Sequence, residues 1–330
     1  MSTRTLAAIA LAATLGAGTS LPASAATTWD LPLAWPDGNF HVENAKRFAA
    51  EVSKATSGEV TINLHPGGSL GFKGPEMLTS IRDGLIPIGD ILLNQQVGEA
   101  PLIGVEAIPY LSNGFEDLKR LHGHWRPAVE KLAASKFNQK FLYMVPWPRQ
   151  YVYTKVEAKS VADLAGIKIR TYNKTTTDMF NRIGMTSVQL PWGEVVPSLA
   201  AGTIDGVTTS ASSGVDGKFW EFLKYMYPTN HVWSSNAVSV NLDAWNALKP
   251  EHRAAIEEVA RRLEPEFWEV SRKEDEAKVK ILTDNGVILG TVTPEMFAEM
   301  KAKTAPMLDE AVNAIGPEAR AIVDAYQKGG

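Results

Sequence analysis

The chain has 330 residues, 45% apolar and 21% charged, with a net charge of −4 from 33 basic and 37 acidic side chains. That suits two ordinary domains and a folded protein; it excludes a wholly disordered chain and counts against a nucleic-acid partner, which would show a basic surplus. Cysteine is absent, which excludes disulfides, thiol catalysis, Cys-ligated zinc and iron–sulfur clusters.

Residues 1–25 read as a secretory signal peptide. Arg4 is the charged start, residues 6–17 the apolar run, and Ala23-Ser24-Ala25 the small-residue cleavage site. The expectation is an exported chain beginning near Ala26 and working in a bacterial periplasm, with which a cysteine-free composition is compatible. No later stretch offers about 18 uninterrupted apolar residues, so no membrane-spanning segment is expected.

Residues 29–35 then suit a first strand and 36–39 a turn. Val42, Ala45, Phe48, Ala49 and Val52 recur at helical spacing over 41–56, and Gly58 stops that helix. Residues 59–65 alternate as a strand around Val60, Ile62 and Leu64. A helix follows Pro75 and ends near Gly84; residues 86–92 are a buried strand. This strand–helix alternation predicts an α/β fold with a largely parallel sheet. Further on, 140–145, 167–170 and 204–208 read as strands, 188–191 as extended, and 174–183 and 194–201 as helices. Residues 250–284 form a long amphipathic helix started by Pro250, and Pro265 inside it predicts a kink.

No hydrolase elbow, zinc-protease helix or Walker loop occurs. The run Gly67-Gly68-Ser69-Leu70-Gly71-Phe72-Lys73-Gly74 has the wrong spacing for a phosphate loop and reads as a turn. His122 and His124 do not share a helix face and read as two surface histidines rather than metal ligands. Neither a cofactor nor a metal is expected.

The specific signal lies in 147–209. Trp147-Pro148-Arg149-Gln150 is followed by Asp163-Leu164-Ala165-Gly166-Ile167-Lys168-Ile169-Arg170, by Gln189-Leu190-Pro191-Trp192-Gly193-Glu194, and by Gly202-Thr203-Ile204-Asp205-Gly206. This ordered set resembles the periplasmic solute-binding subunits of TRAP transporters, the DctP family. Phe48-Ala49-Ala50-Glu51-Val52 through Thr56-Ser57-Gly58, and Gly68-Ser69-Leu70-Gly71, extend the resemblance to the N-terminal half. The resemblance implies a two-domain periplasmic-binding-protein-like fold with a ligand cleft between domains that close by hinge motion. It also implies a long helix spanning the hinge. Expected domains are 26–147 with about 236–275, and 148–235 with about 276–330, crossing near 147 and 235.

By the same resemblance Arg170 clamps the ligand carboxylate, for which a planar guanidinium is suited, and Arg149 makes a second contact. Trp192 is placed in the cleft. Trp147, two residues before Arg149, would face the same way in a strand. Glu194 belongs to the motif but starts a helix, where a carboxylate already has a role. After Asp205-Gly206 the better-known members carry a glutamine, an acidic residue and a ligand-reaching asparagine. This chain has Val207-Thr208-Thr209, so Thr209 stands in the asparagine's place and ligand identity does not carry over. Further lining candidates are Trp35, Asn39, Phe40, Asn94, Tyr172, Asp216 and Asn236. The implied function is an extracytoplasmic receptor that binds a small organic acid, performs no catalysis and delivers its ligand to TRAP membrane subunits. The rivals are a periplasmic sensor subunit and an enzyme acting on carboxylated substrates.

Overall fold

The computed structural model describes residues 26–329; the expected signal peptide lies outside them. The chain begins with β1 (Thr27–Pro32), α1 (Phe40–Ala55), β2 (Val60–His65), α2 (Met77–Arg82), β3 (Ile88–Leu92), α3 (Phe115–Phe137) and β4 (Gln139–Pro146). It passes to β5 (Gln150–Thr154), β6 (Lys168–Thr171), α4 (Lys174–Ile183), β7 (Thr186–Gln189), α5 (Val195–Ala200), β8 (Gly206–Ser210), α6 (Ala211–Asp216) and β9 (Tyr225–Tyr227). It returns through β10 (Ser235–Asn241), α7 (Leu242–Asn246) and α8 (Pro250–Asp284), and ends with β11 (Ile288–Leu289), α9 (Pro294–Thr304), α10 (Pro306–Ile315) and α11 (Pro317–Lys328).

Two α/β lobes result. In the first, β3, β10 and β4 pair in that order, and the β1–β2 pair lies beside β3. In the second, the order is β11-β9-β5-β8-β6-β7. The first lobe's β3-β10-β4 sheet is antiparallel and the second lobe's sheet is mixed, which corrects the expectation of a largely parallel one. Strand β10 runs antiparallel to β3 and β4, and β5 antiparallel to β8 and β9. Both reversed strands enter their sheets from the other lobe, β5 from β4 and β10 from β9, so no crossover helix within the lobe sets their direction.

Local chemistry explains the elements. Asn39 caps α1 by accepting from His41 N, and Val42, Ala45, Phe48 and Val52 bury one face of that helix. Asn173 caps α4 in the same way, and Gly184 ends it at φ 106°, a conformation that favours glycine. In β8, a Cβ on Gly206 would sit 2.7 Å from the Tyr153 carbonyl oxygen, so only glycine lets β5 and β8 pair there.

Helix α8 runs unbroken through Pro265. It ties the lobes together. Trp268 Nε1 donates to Met144 O at 2.8 Å and Ser271 Oγ to Pro146 O in the first lobe. Tyr151 OH and Ser212 Oγ of the second lobe donate to Asp275 and Glu274. The C-terminal segment does not stay with one lobe as expected. Helix α9 packs on α4, whereas α11 packs on α3, where Ala319, Ile322 and Val323 share a core with Leu118, Leu121 and Trp125.

Candidate functional site

The chain crosses between sheets at Trp147–Arg149 and again after β9, and a narrow cavity lies between the lobes beside both crossings. The space in it open to a water-sized sphere is only about 20 Å³, room for about one water molecule. Several walls stand at strand carboxyl ends, where α/β clefts bind ligands. Leu92 ends β3, Trp35 follows β1, Arg170 and Tyr172 close β6, Trp192 follows β7, and Thr209 and Ser213 bracket the β8–α6 turn. Trp147, Gln150 and Ser234 complete the lining.

Arg170 is the cavity's charge. It is 3% exposed. Its Nε donates to Leu190 O at 3.0 Å, and its guanidinium lies over the Tyr172 and Trp192 rings at 5.5 and 6.0 Å. Among the described residues neither terminal nitrogen has a protein hydrogen-bond partner, and no carboxylate is within ion-pair distance. Burial pulls its pKa down to about 10, still charged at neutral pH, and the only counter-effect is from Tyr172. A buried cation without a counter-ion is costly, and an anion bound beside it would offset that cost.

The aromatic walls are closely packed. Trp35 and Trp147 meet edge to face with centroids 4.7 Å apart, and Trp192 lies 6.4 Å from Trp35. Phe40 does not line the cavity; its ring packs edge-on behind Trp147 at 5.2 Å. His41 also backs Trp147, and burial keeps its imidazole neutral by pulling its pKa well down.

Several polar contacts cross between lobes over the cavity. Asn173 Nδ2 donates to Asn94 O at 3.1 Å, and Tyr172 OH meets Ser234 Oγ at 3.5 Å; Ser234 Oγ, beside the start of β10, also accepts from Asn94 Nδ2 of its own lobe. Asn39 Nδ2 donates to Asp216 Oδ2 at 2.6 Å, and burial raises the Asp216 pKa to about 6. The cleft is closed.

The structure therefore brings Arg170, Trp192, Thr209, Trp147, Trp35 and Tyr172 into one cavity lining. Asn94, Asn39 and Asp216 bridge the lobes outside it, and Asn236 lies behind Trp147, accepting from its Nε1 at 2.6 Å. Arg149 is not in the lining. Its side chain is half exposed and directed at Asp275, with Nε 3.8 Å from Oδ2. The strand rule that paired it with Trp147 fails because β4 ends at Pro146 and Pro148 interrupts the ladder before β5. Gln150, the first residue of β5, takes the wall instead. Leu92, Ser213 and Ser234 were also missed. Leu92 has a signal in the end of its strand; Ser213 and Ser234 each sit in a Ser-Ser pair that no motif marks. His122 is buried against Trp125 and Trp268 rather than on the surface, while His124 is exposed. Among the described residues no three His, Cys, Asp or Glu side chains gather as a metal site, and no helix is long and apolar enough to cross a membrane.

Comparison with known proteins places this geometry. Residues 33–314 match the family described as bacterial extracellular solute-binding protein, family 7 (DctP). A curated relative from Escherichia coli, the 2,3-diketo-L-gulonate-binding periplasmic protein YiaO, is 28% identical over 217 residues. That match spans 64% of this chain and 65% of the relative, just under two thirds of its length. A Bordetella pertussis extracytoplasmic solute receptor binding pyroglutamic acid superposes with a TM-score of 0.88 at 29% identity, over 92% of this chain and 100% of that one. A marine metagenome TRAP solute-binding protein, solved with co-purified pyroglutamate, gives 0.88 at 34% identity over 92% and 99%. By the extent of the family match and the shared two-domain α/β architecture, this chain belongs to the family 7 (DctP) bacterial extracellular solute-binding proteins.

Proposed function

We propose that this chain is the extracytoplasmic receptor of a TRAP transporter. It holds a small organic acid between its lobes with the carboxylate on Arg170, and passes it to membrane subunits that carry out the transport. The supporting observation is Arg170 itself, a sealed cation facing a cavity with both terminal nitrogens lacking protein partners. A carboxylate there forms two parallel charge-assisted hydrogen bonds. The family and the acid-binding relatives support the same reading. Pyroglutamate, a compact cyclic monocarboxylate, is the first candidate, because the similar receptors carry it and because three tryptophans and Leu92 favour a flat, mostly apolar body. A dicarboxylate would bring a second buried charge to a cavity from which Arg149 is turned away.

The role places the chain in the periplasm after removal of 1–25. Its domains are 26–147 with about 236–275, and 148–235 with 276 to about 305, the last two helices being counted with the first domain. Thermal shift against organic acids and their amides tests the reading. An acid that stabilises while its amide does not supports the clamp, because a ligand of the folded state stabilises by mass action. Folded, ligand-stripped protein that no acid stabilises would refute it.

A further inference from the structure

We infer that Asp90 is a positioning residue for the two first-lobe tryptophans of the cavity, holding Trp35 directly and Trp147 through Asn236. The inference deepens the reading of the cavity as an acid site and rests on it for its ligand consequences only.

Asp90 is 4% exposed and Asn236 1%. Among the described residues Asp90 has no cationic partner; the groups that bond it are the Trp35 indole and the Asn236 amide. Trp35 Nε1 donates to Asp90 Oδ1 at 2.9 Å, Asn236 Nδ2 donates to the same oxygen, and Trp147 Nε1 donates to Asn236 Oδ1 at 2.6 Å. Strand register creates the arrangement. Asp90 of β3 lies opposite Val238 of β10, and Asn236 lies opposite Leu92, so Asp90 and Asn236 are diagonal neighbours on one face. Leu92, two residues on from Asp90, shares that face and reaches the cavity.

Hydrogen-bond polarity makes the three contacts one device. An indole nitrogen only donates, and the Asp90 oxygen facing Asn236 also takes the Trp35 N–H, so it accepts whether or not the other carboxyl oxygen carries a proton. The Asn236 NH₂ must therefore face Asp90, which turns its carbonyl oxygen toward Trp147. If the amide turned over, two donors would meet at Trp147 and two acceptors at Asp90. Trp147 is thus oriented by a carboxylate that it does not bond. Each ring is pinned at its N–H, and the pair is packed edge to face at 4.7 Å. Walls held this way select ligands by shape, since supporting contacts behind a site set how closely its groups keep their geometry.

The test reads the indole ¹H–¹⁵N resonances of ligand-free protein, assigned with Trp35→Phe and Trp147→Phe. Asp90→Leu should shift both indole signals and shorten their protection from hydrogen exchange. Asp90→Asn keeps an oxygen able to accept both bonds and should leave both near their wild-type positions. With pyroglutamate as the calorimetric probe, Asp90→Leu should weaken binding about tenfold and Asp90→Asn no more than about twofold. A Trp147 signal unmoved by Asp90→Leu, or an Asp90→Asn variant as damaged as Asp90→Leu, overturns the inference. If Asp90→Leu does not fold, Asn236→Leu reads the relay from its middle. It should move the Trp35 signal, which Asn236 does not touch, and an unmoved signal is again fatal. Failure of any acid to bind wild-type protein would sink the acid reading alone, because the indole measurement needs no ligand.

Discussion

The two lobes furnish the cavity in opposite ways. The first supplies shape: Trp35, Trp147 and Leu92, with both indole N–H groups bonded to buried acceptors on adjacent strands. The second supplies charge and hydroxyls: Arg170, Thr209 and Ser213, with the guanidinium's terminal nitrogens lacking protein partners. One wall has its indole donors satisfied; the other, among the described residues, leaves the guanidinium's terminal nitrogens open. The difference separates two tasks that are often treated as one. Excluding the wrong ligand by shape calls for rigid, satisfied groups, while binding the right one calls for a polar group whose bonds are still to be made.

The sharpest way to break the comparison is Arg170→Met. Acid binding should fall by at least about a hundredfold, roughly 3 kcal/mol, because a charge-assisted bidentate contact is lost at a desolvated position. Without ligand, the variant should melt no lower than wild type, because it lacks a buried uncompensated charge. Calorimetry and ligand-free melting check the two halves. A large loss of ligand-free stability would mean that Arg170 is a structural residue.

Tryptophan truncation sharpens the contrast between walls. Trp147→Ala removes a ring packed against Trp35, Phe40 and His41 and leaves the Asn236 oxygen without its donor. It should cost about 3 kcal/mol or more of ligand-free stability as well as affinity. Trp192 is the most exposed of the three cavity tryptophans at 9% and borders the second lobe's cation. Trp192→Ala should lower affinity with a smaller stability cost. Urea denaturation without ligand, set beside calorimetric affinity, separates them; equal stability losses would erase the distinction between the walls.

The sequence made the second lobe easier to read than the first, and the reason is physical. Arg170, Trp192 and Thr209 sit in contiguous motifs where glycine, proline and strand ends leave local signatures. The Gly206 backbone contact is one of them. The first lobe's relay joins residues far apart in the chain. The separation between Asp90 and Asn236 is 146 residues, and their neighbourhood exists only through the register of β3 against β10. Periodicity identified β3 as a buried strand but could not show a carboxylate there to be an anchor. Asn236 was suspected as a lining residue, yet it lies one layer behind the wall. The expectation of a parallel sheet failed for a related reason: strand order follows lobe crossings, which hydrophobic periodicity does not encode.

The lobe contact between Asn39 and Asp216 offers a pH readout. Burial raises the Asp216 pKa to about 6, Lys278 and the Asn39 bond oppose the shift, and Glu274 adds to it. The folded state therefore binds the proton more tightly than the unfolded chain, whose aspartate titrates near 4. The sign follows: the group favours folding below about pH 4, and stability is lost as pH rises from there toward about 6, by up to roughly 3 kcal/mol. Asp216→Asn should flatten that part of the profile. Urea unfolding at a series of pH values checks it, and a variant with the wild-type slope would show that Asp216 titrates normally. Burial also raises Asp90, to about 7, so a slope from Asp90 runs from about pH 4 to about 7 in both proteins, and Asp216 is read from the difference between the two profiles.

The smallest effect expected is that of Arg149→Ala, and it bears directly on the comparison. Arg149 and Arg170 are the same residue type in the same motif region, and the resemblance gave both a place on the acid. The structure separates them by environment. Arg170 is sealed in the cavity without an acidic partner. Arg149 is half exposed, and its Nε is 3.8 Å from an aspartate that also accepts from Tyr151 OH. A long pair with one half-exposed partner is worth about 1 kcal/mol. Arg149→Ala should therefore leave acid affinity within about threefold and stability within about 1 kcal/mol of wild type. A loss comparable to that of Arg170→Met, measured by the same calorimetry, would mean that Arg149 swings from Asp275 into the cleft when the acid binds. The second lobe would then carry two cations on the ligand, and a dicarboxylate would replace the monocarboxylate as the favoured guest.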